Sequence, residues 1–275
     1  MKTRIISALV GLVLLVATFM LYNTVFFTII IDIVSLIAVY ELLRCMGLSK
    51  DKTLAVPSIV FAAFIPFLSF EFIRNIFPAL SYIYLVYLFV MLLIKHKTLK
   101  ISDITKCFFI SLCYPLSFSC LIFLRDANPK EGLFYILLVF IAAWLSDTGA
   151  YFVGSFFGKH KLCPEISPKK TVEGAIGGLL SAIIGYIILA VIYSAIYKDA
   201  ITINYLIIII IAPFASVAGM VGDLAASVIK RQYNIKDYGN IMPGHGGVMD
   251  RFDSVLFVLP LIYVITGFVD LIKII

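Results

Sequence analysis

Charge is scarce in this chain. Only 14% of its 275 residues are Asp, Glu, Lys or Arg, against about 25% in an ordinary soluble domain. Hydrophobic residues make up 62%, where about 45–50% is usual. A single soluble domain cannot hide that much apolar surface, and a chain this apolar does not stay disordered. Cysteines are few and unpatterned: Cys45, Cys107, Cys113, Cys120 and Cys163 form no CxxC pair and no metal-ligand spacing. Their number is odd and three share one apolar stretch, so they read as small buried apolar residues rather than a disulfide framework. The chain has no HExxH, no GxSxG and no Cys/His zinc pattern, so zinc-protease and serine-hydrolase chemistry have no footing. It also lacks low-complexity tracts and internal repeats.

What is present is long apolar runs. Nine can be marked, at 5–21, 24–43, 54–72, 77–94, 104–124, 132–153, 172–196, 202–221 and 254–272. About 18–20 apolar residues span a bilayer core. The expected fold is therefore all-α, a polytopic membrane helical bundle of about nine transmembrane helices. Glu71, Arg74 and Pro78 crowd the joint between the third and fourth runs. No small-x-small cleavage site follows the first run, so it is expected to be a retained helix and not a secretory signal.

Sidedness follows from the cations. Lys+Arg number 22 against 16 Asp+Glu, a net +6. In a membrane protein this excess points to cytoplasmic loops and not to nucleic acid. With nine spans, only Arg74, Arg125, Lys130, Lys198 and Lys273 fall on one side, and the other 17 of the 22 fall with the N-terminus. The N-terminus is thus expected in the cytoplasm, in a multi-pass protein of a bacterial cytoplasmic membrane. The expected organisation is a scaffold of transmembrane helices over 1–130, with a role in lipid access, and a catalytic region over 131–275. The two long polar stretches, 154–171 and 224–251, share the cytoplasmic side, and loops of such length are commonly functional.

Carboxylates near the bilayer ask for a reason, since a charge at its centre costs about 2.5–3.5 kcal/mol on the insertion scale. Asp147 lies near the inner end of the sixth run, Glu173 opens the seventh, Asp223 closes the eighth, and Asp250 stands just before the ninth. Four successive spans present an acid at one membrane face. Unrelated pairing or capping is the plain alternative, and a shared metal site is the favoured one. Oxygen ligands without His or Cys suit Mg²⁺. Asp253 reads as an N-cap. For Asp32, packing and function are equally open.

Cations converge on the same face. If the chain continues as a helix past Asp223, then Asp223, Ser227, Lys230 and Arg231 share one stripe. A snorkelling basic helix end is the alternative. Pro243-Gly244-His245-Gly246-Gly247 can form a loop whose backbone N–H groups face an anion. Beside Lys236, Asp250 and Arg251 it becomes a phosphate-site candidate. His245 is open between donating to a phosphate, carrying a proton and ordering its own loop. Gly154-Ser155-Phe156-Phe157-Gly158-Lys159 is not a P-loop: it is one residue short between the glycines, and His160 follows the lysine. Gly174-x-x-x-Gly178 is expected to serve close helix packing.

The stretch Ser227-Val-Ile-Lys230-Arg231, then Lys236-Asp237-Tyr-Gly239, then Pro243-Gly-His245-Gly246-Gly247-Val-Met-Asp250-Arg251-Phe-Asp253 closely resembles the signature of the phosphatidate cytidylyltransferases, or CDP-diacylglycerol synthases. Met242 departs mildly, standing where Leu, Ile or Phe is usual. Ser146-Asp147-Thr148-Gly149-Ala150-Tyr151 and Ser167-Pro168-Lys169-Lys170-Thr171-Val172-Glu173-Gly174 look like two further blocks of the family. The first hundred residues carry little of the likeness.

The resemblance implies the reaction CTP + phosphatidate → CDP-diacylglycerol + diphosphate, in phospholipid biosynthesis. It implies Mg²⁺ on Asp223 and Asp250, with Asp147 and Glu173 completing a second cation position that accepts K⁺. It also implies a homodimer. Lys169, Lys170, Lys230, Arg231, Lys236 and Arg251 would grip the triphosphate and the lipid phosphate, the two jobs not being separable. Ser227, Asp237, Gly246 and Gly247 would join them. Phosphatidate would attack the α-phosphorus of CTP. A phosphate monoester loses its second proton near pH ~6, so no Ser or Cys nucleophile and no obligatory His base is needed. Competing classes are a transporter or lipid flippase, and a CTP-dependent lipid kinase or an enzyme of isoprenoid ether lipids.

Overall fold

The computed structural model describes residues 2–127, 131–241, 244 and 246–274. In chain order the helices and strands are α1 Lys2–Met20, α2 Val25–Cys45, α3 Lys52–Ala62, α4 Glu71–Ile94, α5 Ile101–Ala127, α6 Gly132–Phe140, α7 Ser146–Phe157, β1 Lys161–Cys163, β2 Ser167–Thr171, α8 Val172–Tyr197, β3 Ile201–Ile203, α9 Tyr205–Gln232, α10 Met249–Phe252, α11 Val255–Thr266 and β4 Ile272–Ile274. A π-helical turn, Ile141–Leu145, joins α6 to α7.

Among the described residues, six helices are long and apolar enough to cross a membrane: α2, α4, α5, the run Gly132–Phe157, α8 and α9. Shorter apolar helices lie at Leu9–Met20, Lys52–Phe67 and Val255–Thr266. The protein is a multi-pass membrane helical bundle, and large apolar side chains such as Leu93, Leu180 and Phe214 stay exposed along its helices. The third apolar run differs from expectation. Instead of one continuous helix over 54–72, α3 stops at Ala62 and a 3₁₀ turn, Ile65–Phe67, follows. Pro66 stands inside that turn, and proline lacks the N–H that would continue an α-helix.

The chain forms two compact units, Met1–Asp126 with Tyr233–Arg251, and Ala127–Gln232 with Phe252–Ile275. In the first, α3, α4 and α5 are stapled by a buried polar relay. The Tyr84 hydroxyl lies 2.7 Å from Ser58 Oγ and accepts from Ser111 Oγ at 3.0 Å, while its ring stacks on Phe61. Asp51 caps α3 through Thr53 N and takes Lys95 Nζ at 2.7 Å. The bond from the Lys95 ammonium, more than those from Thr53, holds the Asp51 carboxyl below its ordinary range.

The second unit is built on small residues. A Cβ on Gly174 would lie 2.7 Å from the Ala150 carbonyl, and one on Gly177 would run into Val153. Gly178 packs in the same way on Ser146, so the Gly174/Gly178 pair does serve close helix packing. Buried Ser146 and Ser216 hydroxyls bond across α7 and α9. β1 and β2 form an antiparallel hairpin with Lys161 opposite Thr171, and β3 pairs with β4. Cys107 and Cys120 are buried as expected, whereas Cys113 is exposed.

Candidate active site

Three helix ends of the second unit bring acids and cations together. α9 does continue through Gln232, so Asp223, Ser227 and Lys230 lie along one uninterrupted helix. Lys170 is the penultimate residue of β2, one residue before Thr171, which caps α8 by accepting from Gly174 N at 3.1 Å. Its Nζ sits 2.6 Å from Asp223 Oδ2, with the two side chains 21% and 28% exposed. Nζ itself is enclosed and makes no well-aligned hydrogen bond among the described residues. The contact is a close charge pair, and the ammonium neutralises Asp223.

Asp147 joins this pair. It lies within the electrostatic reach of both Asp223 and Lys170, and the Ser254 hydroxyl donates to its carboxylate. The π-helical turn directly precedes Ser146-Asp147, and such one-turn insertions recur at functional sites. Asp253 belongs here too. It is 8% exposed, accepts from Ser254 N at 2.8 Å, and feels Asp223, Lys230 and Asp147. Burial, and after it the Asp223 charge, push its carboxyl up to about 7. It is not the expected helix cap: the cap of α11 is Ser254, which makes no side-chain capping bond.

Glu173 is engaged elsewhere. It accepts from Lys159 N at 3.1 Å and His160 N at 3.2 Å, and pairs with His160 Nδ1 at 2.6 Å. It thereby ties the turn before the hairpin to the start of α8. Lys169 is exposed on β2, and Arg231 Nε reaches the Ile166 carbonyl at 3.5 Å.

The first unit holds the rest of the signature. Asp250 Oδ2 accepts from Tyr238 N at 2.8 Å and Gly247 N at 3.0 Å. Gly246 has φ +85°, a left-handed conformation that favours glycine. The Gly247 N–H thus points at the protein's own carboxylate. Lys236, Asp237 and Arg251 are exposed. His245 lies outside the described residues, as do Met242 and Pro243. Reading the sequence missed Glu41, which is buried against this loop. Its only signal is a carboxylate inside an apolar run, seen also at Asp32.

Oxygen-only donors surrounded by cations suit a hard ion. Among the described residues no three His, Cys, Asp or Glu side chains stand close enough to chelate one ion by themselves. Mg²⁺ does not require that, because it is usually held by one or two carboxylates, with waters and substrate phosphates completing its shell. The donor set therefore fits.

Comparison with known proteins agrees with the chemistry. The sequence model described as the Cytidylyltransferase family matches residues 2–269. The chain is 36% identical over 270 residues to the phosphatidate cytidylyltransferase of Bacillus subtilis strain 168, covering 96% of each. It is 34% identical over 274 residues to that of Staphylococcus haemolyticus strain JCSC1435, covering 96% of this chain and 98% of the relative. The phosphatidate cytidylyltransferase of Staphylococcus aureus strain COL is 34% identical over 275 residues.

Proposed function

The chain belongs to the cytidylyltransferase family, and from that premise we propose that it transfers the cytidylyl group of CTP to phosphatidate, releasing diphosphate and leaving CDP-diacylglycerol in the membrane. The observation that carries the reading is the Lys170–Asp223 pair with Asp147 and Asp253 around it. Such a mixed-charge pocket can accept a cation and a polyphosphate together.

The main obstacle to the reaction is that two polyanions must meet. Phosphoryl-type transfer is catalysed chiefly by positioning and by cations on the oxygens that gain charge. Lys169, Lys170, Lys230 and Arg231 in the second unit, and Lys236 and Arg251 in the first, supply positive charge for the triphosphate and the lipid phosphate. Ser227, on the same helix as Asp223, offers a hydroxyl. The attacking oxygen belongs to phosphatidate, so the protein provides no nucleophile. Lys170, paired with Asp223 at 2.6 Å, is close enough to the acid to serve a phosphate oxygen bound beside it.

Mg²⁺ is proposed at Asp223, and Asp250 is proposed as a carboxylate ligand as well; when bound, the ion would neutralise charge on phosphate oxygens. A second, monovalent cation such as K⁺ is proposed beside Asp147. Glu173 becomes a ligand for it only when its bonds to His160 and Lys159 open. The cytoplasmic face is proposed for the site, and the cytoplasm for the N-terminus, because 17 of the 22 Lys+Arg fall on one side of the expected topology.

Incubating the purified protein with labelled CTP and phosphatidate, with and without Mg²⁺, tests this. A CDP-lipid and diphosphate are expected. Formation of CDP and a newly phosphorylated lipid would replace the reading with a lipid kinase.

A further inference from the structure

Glu41 stands in α2 within Val39-Tyr40-Glu41-Leu42-Leu43-Arg44 and is only 2% exposed. A carboxylate so enclosed needs donors. Two consecutive amides supply them: Val248 N donates to Oε1 at 3.2 Å and Met249 N to Oε2 at 2.9 Å. Three residues further along α2, Arg44 Nη2 donates to the Tyr238 carbonyl at 2.9 Å. Residues three apart lie on the same helix face. One face of α2 therefore grips the loop of the signature at both ends.

The gripped residues are the ones that aim Asp250. Tyr238 and Gly247 donate their N–H groups to Asp250 Oδ2, and Met249 precedes it directly. The loop also makes room for the carboxylate. A Cβ on Gly247 would lie 2.5 Å from Glu41 Cδ, and one on Gly239 would lie 2.7 Å from it. Both glycines are therefore demanded by a side chain some two hundred residues earlier in the chain, whatever else they do. All of these residues belong to the first unit.

We propose that Glu41, seconded by Arg44, is a positioning residue for cytidylyl transfer, fixing Tyr238 and Gly247–Met249 and through them the direction of the Asp250 carboxylate. The proposal rests on the cytidylyltransferase reading and on a role for Asp250 in it. The charge matters as well as the shape. A glutamine would turn an amide NH₂ toward one of two backbone donors, losing a bond and opposing donor to donor.

The test uses the full chain in detergent, with Glu41→Gln, Glu41→Ala, Gly247→Ala, the Glu41→Ala/Gly247→Ala pair, and Asp250→Asn. Turnover is measured with CTP and phosphatidate. Amide hydrogen exchange is followed separately, without divalent ions. Glu41→Gln is expected to lose about 10–100-fold in kcat, the usual range for residues that orient a ligand. Its exchange should quicken over 238–249 and stay unchanged in α4 and α5. Gly247→Ala alone should be similarly impaired, whereas adding it to Glu41→Ala should cost less than it does in the wild type, since its methyl then meets no carboxylate.

Wild-type turnover and exchange in Glu41→Gln would overturn the proposal. So would multiplied losses in the pair, or exchange quickened throughout the protein, which would make Glu41 a stability residue only. Full turnover in Asp250→Asn would overturn it by another route, through the role given to Asp250, and would leave the exchange result standing.

Discussion

Gly149 gives the sharpest test of how α7 is held against α8. A methyl placed there would collide with Ser181 Oγ and stand 2.6 Å from Ser181 Cβ, while its next neighbour, the Gly177 carbonyl, is 3.2 Å away. The obstruction is thus one side chain. Overpacking a close interface costs about 1–3 kcal/mol. Alanine in place of a helix-interior glycine returns about 0.8–1.0 kcal/mol of helix propensity. Gly149→Ala should therefore destabilise the protein by up to about 2 kcal/mol, the difference between those terms. Ser181→Gly should also destabilise by itself, through its own loss of propensity. Together, however, the two should be better than the sum, because the methyl moves into the space the hydroxymethyl leaves. Contacting residues couple by about 0.5–3 kcal/mol. Unfolding midpoints of the four proteins in one detergent would read this coupling. A clearly raised midpoint for Gly149→Ala, or strict additivity in the pair, would refute the packing read from the glycines.

Other expectations can be checked alongside. Asp223→Asn should abolish CDP-lipid formation while the protein still inserts; near-normal turnover would remove Asp223 from the cation site. Lys170→Met should leave Asp223 facing Asp147 and Asp253 without its neutralising ammonium, and lose stability by about 3 kcal/mol or less, since breaking a fully buried pair costs about 3–5 kcal/mol and this one is partly exposed. A midpoint no lower than wild type would show the pair to be incidental. Asp51, held below the ordinary carboxylate range by Lys95, contributes stability that is fully present above about pH 4, the unfolded value, and is lost as pH falls through its lower folded value. The midpoint difference between wild type and Asp51→Asn should shrink in that acid window; a difference independent of pH would rule the linkage out. Tyr84→Phe should cost about 0.5–1.5 kcal/mol, because Ser58 and Ser111 keep their bonds to the Leu54 and Cys107 carbonyls.

Much of this was legible before any coordinates, for physical reasons. Long apolar runs declare membrane helices because length and hydropathy act locally. The continuation of α9 to Lys230 and Arg231, and the packing role of Gly174 and Gly178, are periodic features of one or two helices. Asp147 and Asp223 do share a neighbourhood in the second unit. What escaped depends on contacts between distant segments. Glu41 acts on Val248 and Met249, and nothing in Val-Tyr-Glu-Leu-Leu-Arg announces a partner so remote. Asp253 looks like a cap from its place before an apolar run, yet its burial among Asp223, Lys230 and Asp147 is tertiary. The stretch 154–171 reads as a polar loop because three- and five-residue strands carry almost no alternation of their own. The break after Ala62 was masked by an apolar run that continues straight through Pro66.

The π-helical turn at Ile141–Leu145 amounts to a surplus residue in an otherwise regular cylinder. Each α-helical residue advances the azimuth by about 100°, so everything after Leu145 is rotated by roughly that angle from where an unbroken α-helix would leave it. The apolar half of the span and its acidic half consequently have separate rotational settings. Evolution can adjust which way Asp147 looks without repacking Phe134 or Leu138 below it. Shortening the chain by one residue inside 141–145 would return the helix to a single phase and turn the acid toward another neighbour.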